Sequence, residues 1–380
     1  MPQPLPPQRH LFDLSDDIAY LNCAYFTPQP NRVRDAGRRA IDAQSHPWEV
    51  TAPDFFGPGE DLRNRFASLV SGDADGVALI PSVSYGVGVA AANVRLGSGR
   101  TIVVLDEQFP SDVYPWRAKV EAEGGAMVTV PPPAGGSWTT GVLEAIDEST
   151  AVVAVPNCHW TDGRAVDLEA VGEAVRSVGA TLVVDASQSL GAHPLDVSVV
   201  RPDYLISVGY KWLFGPYSLG YLWVAPEHRG GVPLEQTWMG RLGSEDFTRL
   251  VDYTDDFQRG ARRFDVGEWS NFTLVPMALA ALGLVEEWGP ENVAASLAPL
   301  TSRLEVGSAG LGLDPVRSES RLAHLMGVRF PDGIPAGLRD ALAAAGVYVS
   351  LRSDAVRVAP HLFNTTGDID RLLEVFDSVL

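Results

Sequence analysis

A carboxylate and an amine follow two consecutive apolar segments of the chain. Asp185 lies in the segment TLVVDA (residues 181–186), and Lys211 follows the segment YLISVG (204–209). If both segments are strands of a parallel sheet, their carboxyl ends lie at one edge, where ligands bind in open α/β sheets. Pyridoxal phosphate needs a lysine amine that forms a Schiff base and a carboxylate that keeps its pyridine nitrogen protonated. We therefore expect a pyridoxal phosphate site at this edge, with Lys211 as the catalytic residue.

A glutamine and two aromatic residues make this pattern more specific. Gln188 follows Asp185 by three residues and is expected to hydrogen-bond the phenolic oxygen of the same ring. Lys211, once freed from the cofactor, would be the base that moves the proton on Cα. Each residue alone has an ordinary explanation, because an Asp at a strand end often caps a helix and a Lys between aromatic residues often buries only its stem. Together, Asp-x-x-Gln and Tyr-Lys-Trp (210–212) favour the cofactor site.

The segments around these residues predict an α/β domain. Seven apolar segments alternate with helical patterns: VALI (77–80), TIVVLD (101–106), AMVTV (126–130), AVVAVP (151–156), TLVVDA (181–186), YLISVG (204–209) and LGYLWVA (219–225). Continuous Val, Ile and Leu runs between helices indicate strands that are buried on both faces. We expect a mostly parallel seven-stranded sheet flanked by helices.

The pattern changes near residue 270, where long helical stretches precede a few further strands. This order indicates a smaller α+β domain at the C-terminus. We expect three parts of the chain: an N-terminal arm (1–20), a large cofactor-binding domain (21–265) and a small C-terminal domain (266–380).

A glycine pattern after the first apolar segment offers a competing interpretation. Gly86-x-Gly88-x-x-Ala91 is followed, 20 residues after Gly86, by Asp106. A strand followed by such glycines and a later acid is typical of dinucleotide-binding domains. The first glycine should turn the chain directly after the strand, yet five residues separate it from Ile80. We therefore expect these glycines inside a helix, and an NAD-dependent oxidoreductase stays a remote alternative.

Ser82 and Ser84 occupy the turn where the fingerprint glycine is missing. A hydroxyl-bearing turn that leads into a helix is a good anion site, because free N–H groups point outward there. Ser84 as a plain N-cap is compatible with phosphate binding at the same turn.

Composition and charge exclude several classes of protein. The chain has 380 residues with 46% hydrophobic and 20% charged residues, which is ordinary for a globular protein. Its net charge of −19 repels phosphate backbones and anionic lipids, so we expect no nucleic-acid or membrane partner. Two cysteines and no visible signal peptide or membrane-spanning segment indicate a cytoplasmic protein. With seven His and neither HExxH nor paired CxxC, no metal site is expected.

Several motifs fall in one order along nearly the whole chain: LNCAYFTP (21–28), VVDASQSLGAHPLDV (183–197), VGYKWLFGP (208–216), RRFDVG (262–267) and VRVAPHLFNTTGDIDRLL (356–373). In these motifs the chain resembles the class V aminotransferase family of fold-type I pyridoxal phosphate enzymes. That family includes cysteine desulfurases, kynureninases and isopenicillin N epimerase-like proteins. The segments around Asp185 and Lys211 carry the most specific part of the resemblance.

The resemblance implies a role for each matching residue. Lys211 would hold the cofactor as a Schiff base, Asp185 would pair with the pyridine nitrogen, and Gln188 would contact the ring oxygen. Val83 and Ser84 fall at the turn that binds the phosphate in this family.

Further roles implied by the resemblance concern the substrate and a second subunit. Tyr210 corresponds to a phosphate-binding tyrosine of kynureninases, and Trp238 in TWMGR (237–241) to a tryptophan that reaches the neighbouring subunit's phosphate. Arg357 matches the arginine that binds the substrate α-carboxylate, a task that suits its planar fork. The resemblance thus implies a homodimer with shared active sites and a small amino acid as substrate.

The chain departs from the family pattern at two places. Glu268 stands where many relatives have a Thr that reaches the partner's phosphate, so Ser270 or Asn271 is expected to substitute. The residue expected to stack on the ring aligns with Asn157, and His159 lies two positions on. Because residues two apart on a strand share a face, either of them is expected to cover the ring.

The reaction follows less directly from the sequence. Cysteine desulfurases carry a nucleophilic Cys shortly before the carboxylate-binding Arg, whereas residues 335–357 contain none and Cys23 and Cys158 lie elsewhere. Transamination, β-elimination by a C–S lyase, kynureninase-like hydrolysis and epimerisation remain open, because Lys211 and Asp185 serve all four. We place transamination first. A non-catalytic protein that keeps the fold is disfavoured by the intact lysine and aspartate.

Overall fold

A seven-stranded sheet flanked by helices forms the centre of the larger part of the protein. The computed structural model describes residues 2–133 and 137–380; Met1, at the start of the expected arm, and residues 134–136 lie outside the described residues. The α-helices in the described ranges are α1 Asn31–Ala43, α2 Ala52–Leu69, α3 Val83–Asn93, α4 Tyr114–Glu123, α5 Trp138–Ala145, α6 Leu168–Ser177, α7 Val197–Val200, α8 Leu274–Trp288, α9 Pro290–Gly310, α10 Leu338–Ala344 and α11 Thr366–Val379.

The strands fall where the apolar segments predict them in the larger part of the chain. They are β1 Ala19–Tyr20, β2 Val77–Ile80, β3 Thr101–Leu105, β4 Ala126–Val130, β5 Thr150–Pro156, β6 Thr181–Asp185, β7 Tyr204–Val208, β8 Gly220–Val224, β9 Asp314–Pro315, β10 Met326–Arg329, β11 Val347–Tyr348, β12 Ser350–Arg352 and β13 Ala355–Val358.

The central sheet has the strand order β2-β8-β7-β6-β5-β3-β4. Pairing is parallel from β4 to β7, and only β8 runs antiparallel to its two neighbours. The predicted mostly parallel seven-stranded sheet of an α/β fold is therefore confirmed.

Burial on both faces explains why these strands read as unbroken apolar runs. Along β3, Val103 and Leu105 belong to the main core cluster, whereas Ile102 and Val104 belong to a second cluster with residues of α3 and α4. Successive side chains of a strand point to opposite faces, so each strand supplies both clusters. Most interior positions of these strands are consequently apolar.

The C-terminal part of the chain forms a second, smaller sheet. Its four antiparallel strands have the order β12-β13-β10-β9, and α9 packs against α11. The first C-terminal helix, α8, packs against α1 and α2, so contacts between the two parts are extensive. The division at residue 265 stays a prediction.

The N-terminal arm packs on the C-terminal part of its own chain. Strand β1 pairs in parallel with β11, with Ala19 opposite Val347. The Gln8 N–H donates to the Leu362 carbonyl at 2.7 Å. Within the described part of the chain, no helix is long and apolar enough to cross a membrane.

Candidate active site

Strand β6 delivers Asp185 to the carboxyl edge of the central sheet. There Asp185 lies opposite Ile206 of β7, so the residues that follow β7 meet it at the same edge. The Ser187 N–H donates to Asp185 Oδ1 at 2.9 Å, which holds the carboxylate at the end of the strand.

A tight turn after β7 presents Lys211. A Cβ on Gly209 would lie 2.7 Å from the Leu219 carbonyl oxygen, so only glycine fits where the turn passes β8. The Lys211 side chain is buried, and its Nζ lies 5.5 Å from the centre of the Phe109 ring. Burial lowers the pKa of this amine to about 8, although the negative charge of Asp185 opposes the shift. The amine is therefore partly neutral near physiological pH.

Two adjoining cavities meet at Lys211. The first, of about 350 Å³, is lined by residues of the α3 turn, by Asp185 and by the turn after β7. The second, of about 470 Å³, adds Tyr25, Arg352 and Arg357. Lys211, Gln188 and Phe109 line both cavities. The volumes are within the usual range for small-molecule sites, and their arrangement suits a cofactor beside a substrate.

Gln188 is buried in this region and its amide is already held at both ends. Its Nε2 donates to the Ala24 carbonyl at 3.1 Å, and its Oε1 accepts from Trp212 Nε1 at 3.2 Å. These contacts fix the side chain between the two cavities. Its contact with a ring oxygen stays a prediction.

The turn before α3 forms one wall of the first cavity. Val83 and Ser84 both line it, but the N-cap of the helix is Ser82, whose Oγ accepts from the Tyr85 N–H at 3.2 Å. Gly86 lies inside α3, where a Cβ would come within 3.0 Å of Ile206. Both glycines of the Gly-x-Gly pattern thus lie inside the helix, as expected, and Gly86 allows the helix to pack closely on the sheet.

Asn157 and His159 do not line either cavity, and the expectation that one of them covers the ring stays a prediction. The Asn157 Oδ1 accepts a 2.5 Å hydrogen bond from Ser189 Oγ, and the His159 ring packs on Trp138 at 4.9 Å between centres. After β5 the cavity is lined instead by the even-numbered positions, Pro156, Cys158 and Trp160. Side chains that alternate along an extended segment point to opposite sides, so these three residues lie on the side of Lys211.

Phe109 is a residue of both cavities that the sequence pattern did not mark. It follows β3 in a loop, lines both cavities and faces the Lys211 amine. An aromatic side chain in an irregular loop has no spacing that marks it as a site residue, so the sequence offered no signal for it.

Asp112 is a second residue at this edge that no sequence pattern marked. It is buried and lines a small cavity together with Asp185 and Gln108. Burial and the charge of Asp185 raise the pKa of the Asp112 carboxyl well above its usual range. Asp112 is consequently protonated over a wide pH range and can donate to the carboxylate of Asp185.

Arg357 on β13 reaches the second cavity from the small sheet. It is buried, and its guanidinium donates to the Trp160 carbonyl at 2.7 Å and to Ser350 Oγ at 3.3 Å. Burial, reinforced by the nearby positive charge of Arg352, lowers the pKa of Arg357 to about 9. Its Nε has no acceptor among the described residues, so the group is placed to bind an anion.

Tyr210 lies at the cavities, whereas Trp238 and Asn271 do not. Tyr210 lines both cavities, and burial raises its pKa to about 12. Trp238 is 40% exposed, and Asn271 Oδ1 accepts from two N–H groups at the start of α8. The implied roles of Trp238 and Asn271 concern a second subunit and remain predictions.

The residues present fit pyridoxal phosphate. A buried amine at Lys211 faces a cavity that also holds the Asp185 carboxylate. Across the same cavity, the start of α3 offers hydroxyl groups and helix N–H groups, a combination that suits a phosphate.

Comparisons with known proteins agree with this fit. Residues 58–369 match the family model described as aminotransferase class-V. The chain is 27% identical over 317 residues to the "Uncharacterized aminotransferase YcbU" of Bacillus subtilis, covering 83% of this chain and 82% of the relative. It is 29% identical over 277 residues to a kynureninase of Deinococcus radiodurans, covering 70% and 65%. Among solved structures, a lysine-to-alanine mutant of C-DES, with glycine covalently linked to its pyridoxal phosphate, superposes with a TM-score of 0.87 at 19% identity, covering 98% of this chain and 100% of that chain.

Proposed function

The chain belongs to the class-V aminotransferase family, and from this premise we propose that it transfers the amino group of a small amino acid. It is an enzyme of that family and its cofactor is pyridoxal phosphate. The observation that carries the proposal is the position of Lys211, buried between two adjoining cavities with a pKa of about 8.

The first cavity would hold the cofactor. Lys211 would bind its aldehyde carbon, Asp185 its pyridine nitrogen, and the turn of Ser82 to Ser84 its phosphate. When bound, pyridoxal phosphate supplies an electron sink for negative charge at the substrate Cα. Asp112, whose pKa is raised by burial and by the charge of Asp185, would donate a hydrogen bond to the Asp185 carboxylate.

Lys211 and Arg357 would both act on the substrate. Arg357 binds the α-carboxylate in the second cavity and so directs Cα toward Lys211. The Lys211 amine, because burial keeps its pKa near 8, accepts the Cα proton and can return it elsewhere. A single base that removes a proton and returns it at another atom suffices for amino-group transfer, whereas epimerisation needs a proton delivered to the opposite face of Cα.

A persulfide mechanism receives no support from the two cysteines. Cys23 and Cys158 are both fully buried, and burial raises the pKa of both thiols. A thiolate is the form that attacks sulfur, so both groups are held in the unreactive form.

We further propose a homodimer with shared sites. The segment from Val232 to Tyr253 exposes several large apolar side chains: Val232, Leu234, Trp238, Leu242, Phe247, Leu250, Val251 and Tyr253. Patches of this kind are common at protein interfaces, and the implied role of Trp238 toward a second subunit supports this one. The two free cysteines support a cytoplasmic location.

The test of the reaction uses protein loaded with pyridoxal phosphate. The loaded enzyme is given single L-amino acids together with an α-keto acid acceptor, and both new products are measured by chromatography. Transamination yields equal amounts of a new keto acid and a new amino acid. Ammonia or sulfide without a new amino acid would refute transfer and favour a lyase, and a D-amino acid alone would favour an epimerase. Lys211→Ala is the control that should form no product.

A further inference from the structure

Two arginines project into the substrate cavity from neighbouring strands. In the small sheet, Ser350 of β12 pairs with Arg357 of β13, and Arg352 pairs with Ala355. Paired residues share a face, and so do residues two apart on one strand. Arg352 and Arg357 are thus diagonal neighbours on one face, with Cα atoms about 7–8 Å apart.

Contacts with one residue confirm that both guanidinium groups reach the same place. Arg357 donates to the Trp160 carbonyl, and the Cζ of Arg352 lies 5.3 Å from the centre of the Trp160 ring. Both side chains line the cavity of about 470 Å³ that Lys211 also lines. Arg352 is the more accessible of the two, because Arg357 is buried and Arg352 only half-buried.

Neither arginine has an anionic partner in the part of the chain that the structure describes. Other buried arginines of this acidic protein form ion pairs, such as Arg63 with Asp265 and Arg321 with Glu305. Arg352 and Arg357 form none, and the Nε of each is buried without an acceptor. Among the described residues, no aspartate or glutamate lines their cavity.

This arrangement is costly for the protein alone and favourable for a ligand with two negative charges. Two like charges that are partly removed from water repel each other, and the lowered pKa of Arg357 reflects both burial and Arg352. One α-carboxylate would neutralise Arg357 and leave Arg352 unpaired. A second carboxylate a few bonds away would satisfy both.

We propose that the substrate is an α-amino acid whose side chain ends in a second carboxylate, and that Arg352 binds that group. Arg357 holds the α-carboxylate and sets Cα near Lys211, whereas Arg352 distinguishes acidic from neutral side chains. The inference rests on the proposed function for the placement of the α-carboxylate, and it adds the chemical class of the substrate.

Unreactive carboxylates test this inference without relying on catalysis. Butyrate and glutarate have similar lengths, and neither has an amino group, so each can be titrated into the cofactor-loaded enzyme by calorimetry. We expect glutarate to bind at least about tenfold more tightly than butyrate, because it adds one charged hydrogen-bonded pair. Equal affinities would overturn the inference.

The Arg352→Gln variant assigns the effect to one side chain. It should lose the preference for glutarate while its affinity for butyrate stays unchanged, and Arg352→Lys should keep part of the preference. Arg329→Gln is the matched control, since Arg329 lies on β10 of the same sheet and pairs with exposed Asp354 at 2.6 Å. Equal weakening of both ligands by Arg352→Gln, or loss of the preference in the control, would refute the assignment.

The two proposals fail separately in these experiments. If no amino group is transferred but glutarate is still preferred through Arg352, the reaction is wrong and the substrate class stands. If transfer occurs and glutarate is not preferred, the substrate class is wrong and the reaction stands.

Discussion

The carboxyl group of Asp112 lies against that of Asp185 in the protein interior. The two residues come from different parts of the sheet edge, Asp112 from the loop after β3 and Asp185 from the end of β6. They line one small cavity, and their proximity contributes to the raised pKa of Asp112. The protonation of Asp112 therefore depends on the charge of Asp185.

The stability of the cofactor-free protein should therefore depend on pH through Asp112. In the unfolded chain this carboxyl titrates near pH 4, whereas in the folded protein its pKa is well above that value. As pH rises from about 4, the unfolded chain releases a proton that the folded protein keeps, so the free energy of unfolding decreases until the raised pKa is passed. Asp112→Asn should remove this decrease, as measured by thermal unfolding at a series of pH values. Parallel curves for the variant and the parent would contradict it.

The capture of pyridoxal phosphate should follow the titration of Lys211. Only the neutral amine attacks an aldehyde, so the rate of cofactor uptake by the cofactor-free protein should rise through pH 8 and then level off. Arg357→Gln should move this midpoint upward, because the charge of Arg357 contributes to the lowered pKa of Lys211. The rate is followed by the visible absorption of the lysine-bound cofactor. A midpoint that stays above pH 9 in the parent protein would contradict this account.

Lys211→Ala should stay folded and lose covalent attachment of the cofactor. Removal of a buried amine leaves the surrounding packing largely intact, and circular dichroism should show an unchanged fold. After borohydride treatment in the presence of pyridoxal phosphate, mass spectrometry should find the cofactor on the parent protein only. A reduced adduct on the variant would assign the attachment to another lysine.

Arg357→Ala should raise KM for amino acids by at least about tenfold, because a charged hydrogen-bonded contact to the α-carboxylate is lost. Amines that lack this carboxylate serve as the control, and their weaker turnover should be little affected. Steady-state kinetics of the parent protein and the variant with both substrate types measures these changes in KM. An equal effect on amines and amino acids would show that Arg357 acts through the structure rather than by binding the carboxylate.

Loss of one partner of the buried ion pair of Arg63 and Asp265 should strongly destabilise the protein. Arg63 is fully buried on α2 and meets Asp265 at 2.6 Å, so Arg63→Ala leaves an unpaired charge in the interior. We expect the free energy of unfolding to fall by about 3–5 kcal/mol. Arg65→Ala, on the same helix, removes an exposed pair with Glu286 and should cost less than about 1 kcal/mol. Denaturant unfolding measures the free energy of unfolding of both variants. Similar losses in Arg63→Ala and Arg65→Ala would contradict the prediction.

The shared site of the proposed dimer is testable by mixing two defective variants. Trp238→Ala and Lys211→Ala should each show low activity in the enzyme loaded with cofactor. If Trp238 serves the partner's site, a mixed dimer contains one site with both residues intact, so exchange of subunits should restore activity. No recovery in a preparation that mass spectrometry shows to contain mixed dimers would place Trp238 outside the partner's site.

The sheet and its functional edge were predictable from the sequence alone. Strands buried on both faces need continuous apolar side chains, and such runs from β2 to β8 stand out against the helices between them. Because parallel strands end at one edge, Asp185 and the turn of Lys211 were expected to meet.

Tertiary structure alone decided what surrounds the amine. Phe109 and Asp112 lie in a loop whose path no periodicity describes, and their roles arise from contact with Lys211 and Asp185. The orientation of Asn157 and His159 depends on the same long-range packing. Alternation along a strand says which residues share a face, whereas only the packed sheet determines which face looks into the cavity.

The proximity of Arg352 to Arg357 shows most clearly what the sequence alone does not determine. A separation of five residues in sequence does not place two side chains together, and the turn between β12 and β13 brings them to one face through the strand register. Local residue pattern thus determined the elements and their apolar faces. The chemistry of the substrate cavity depended on long-range packing, because charges and rings act through distances that only the folded chain sets.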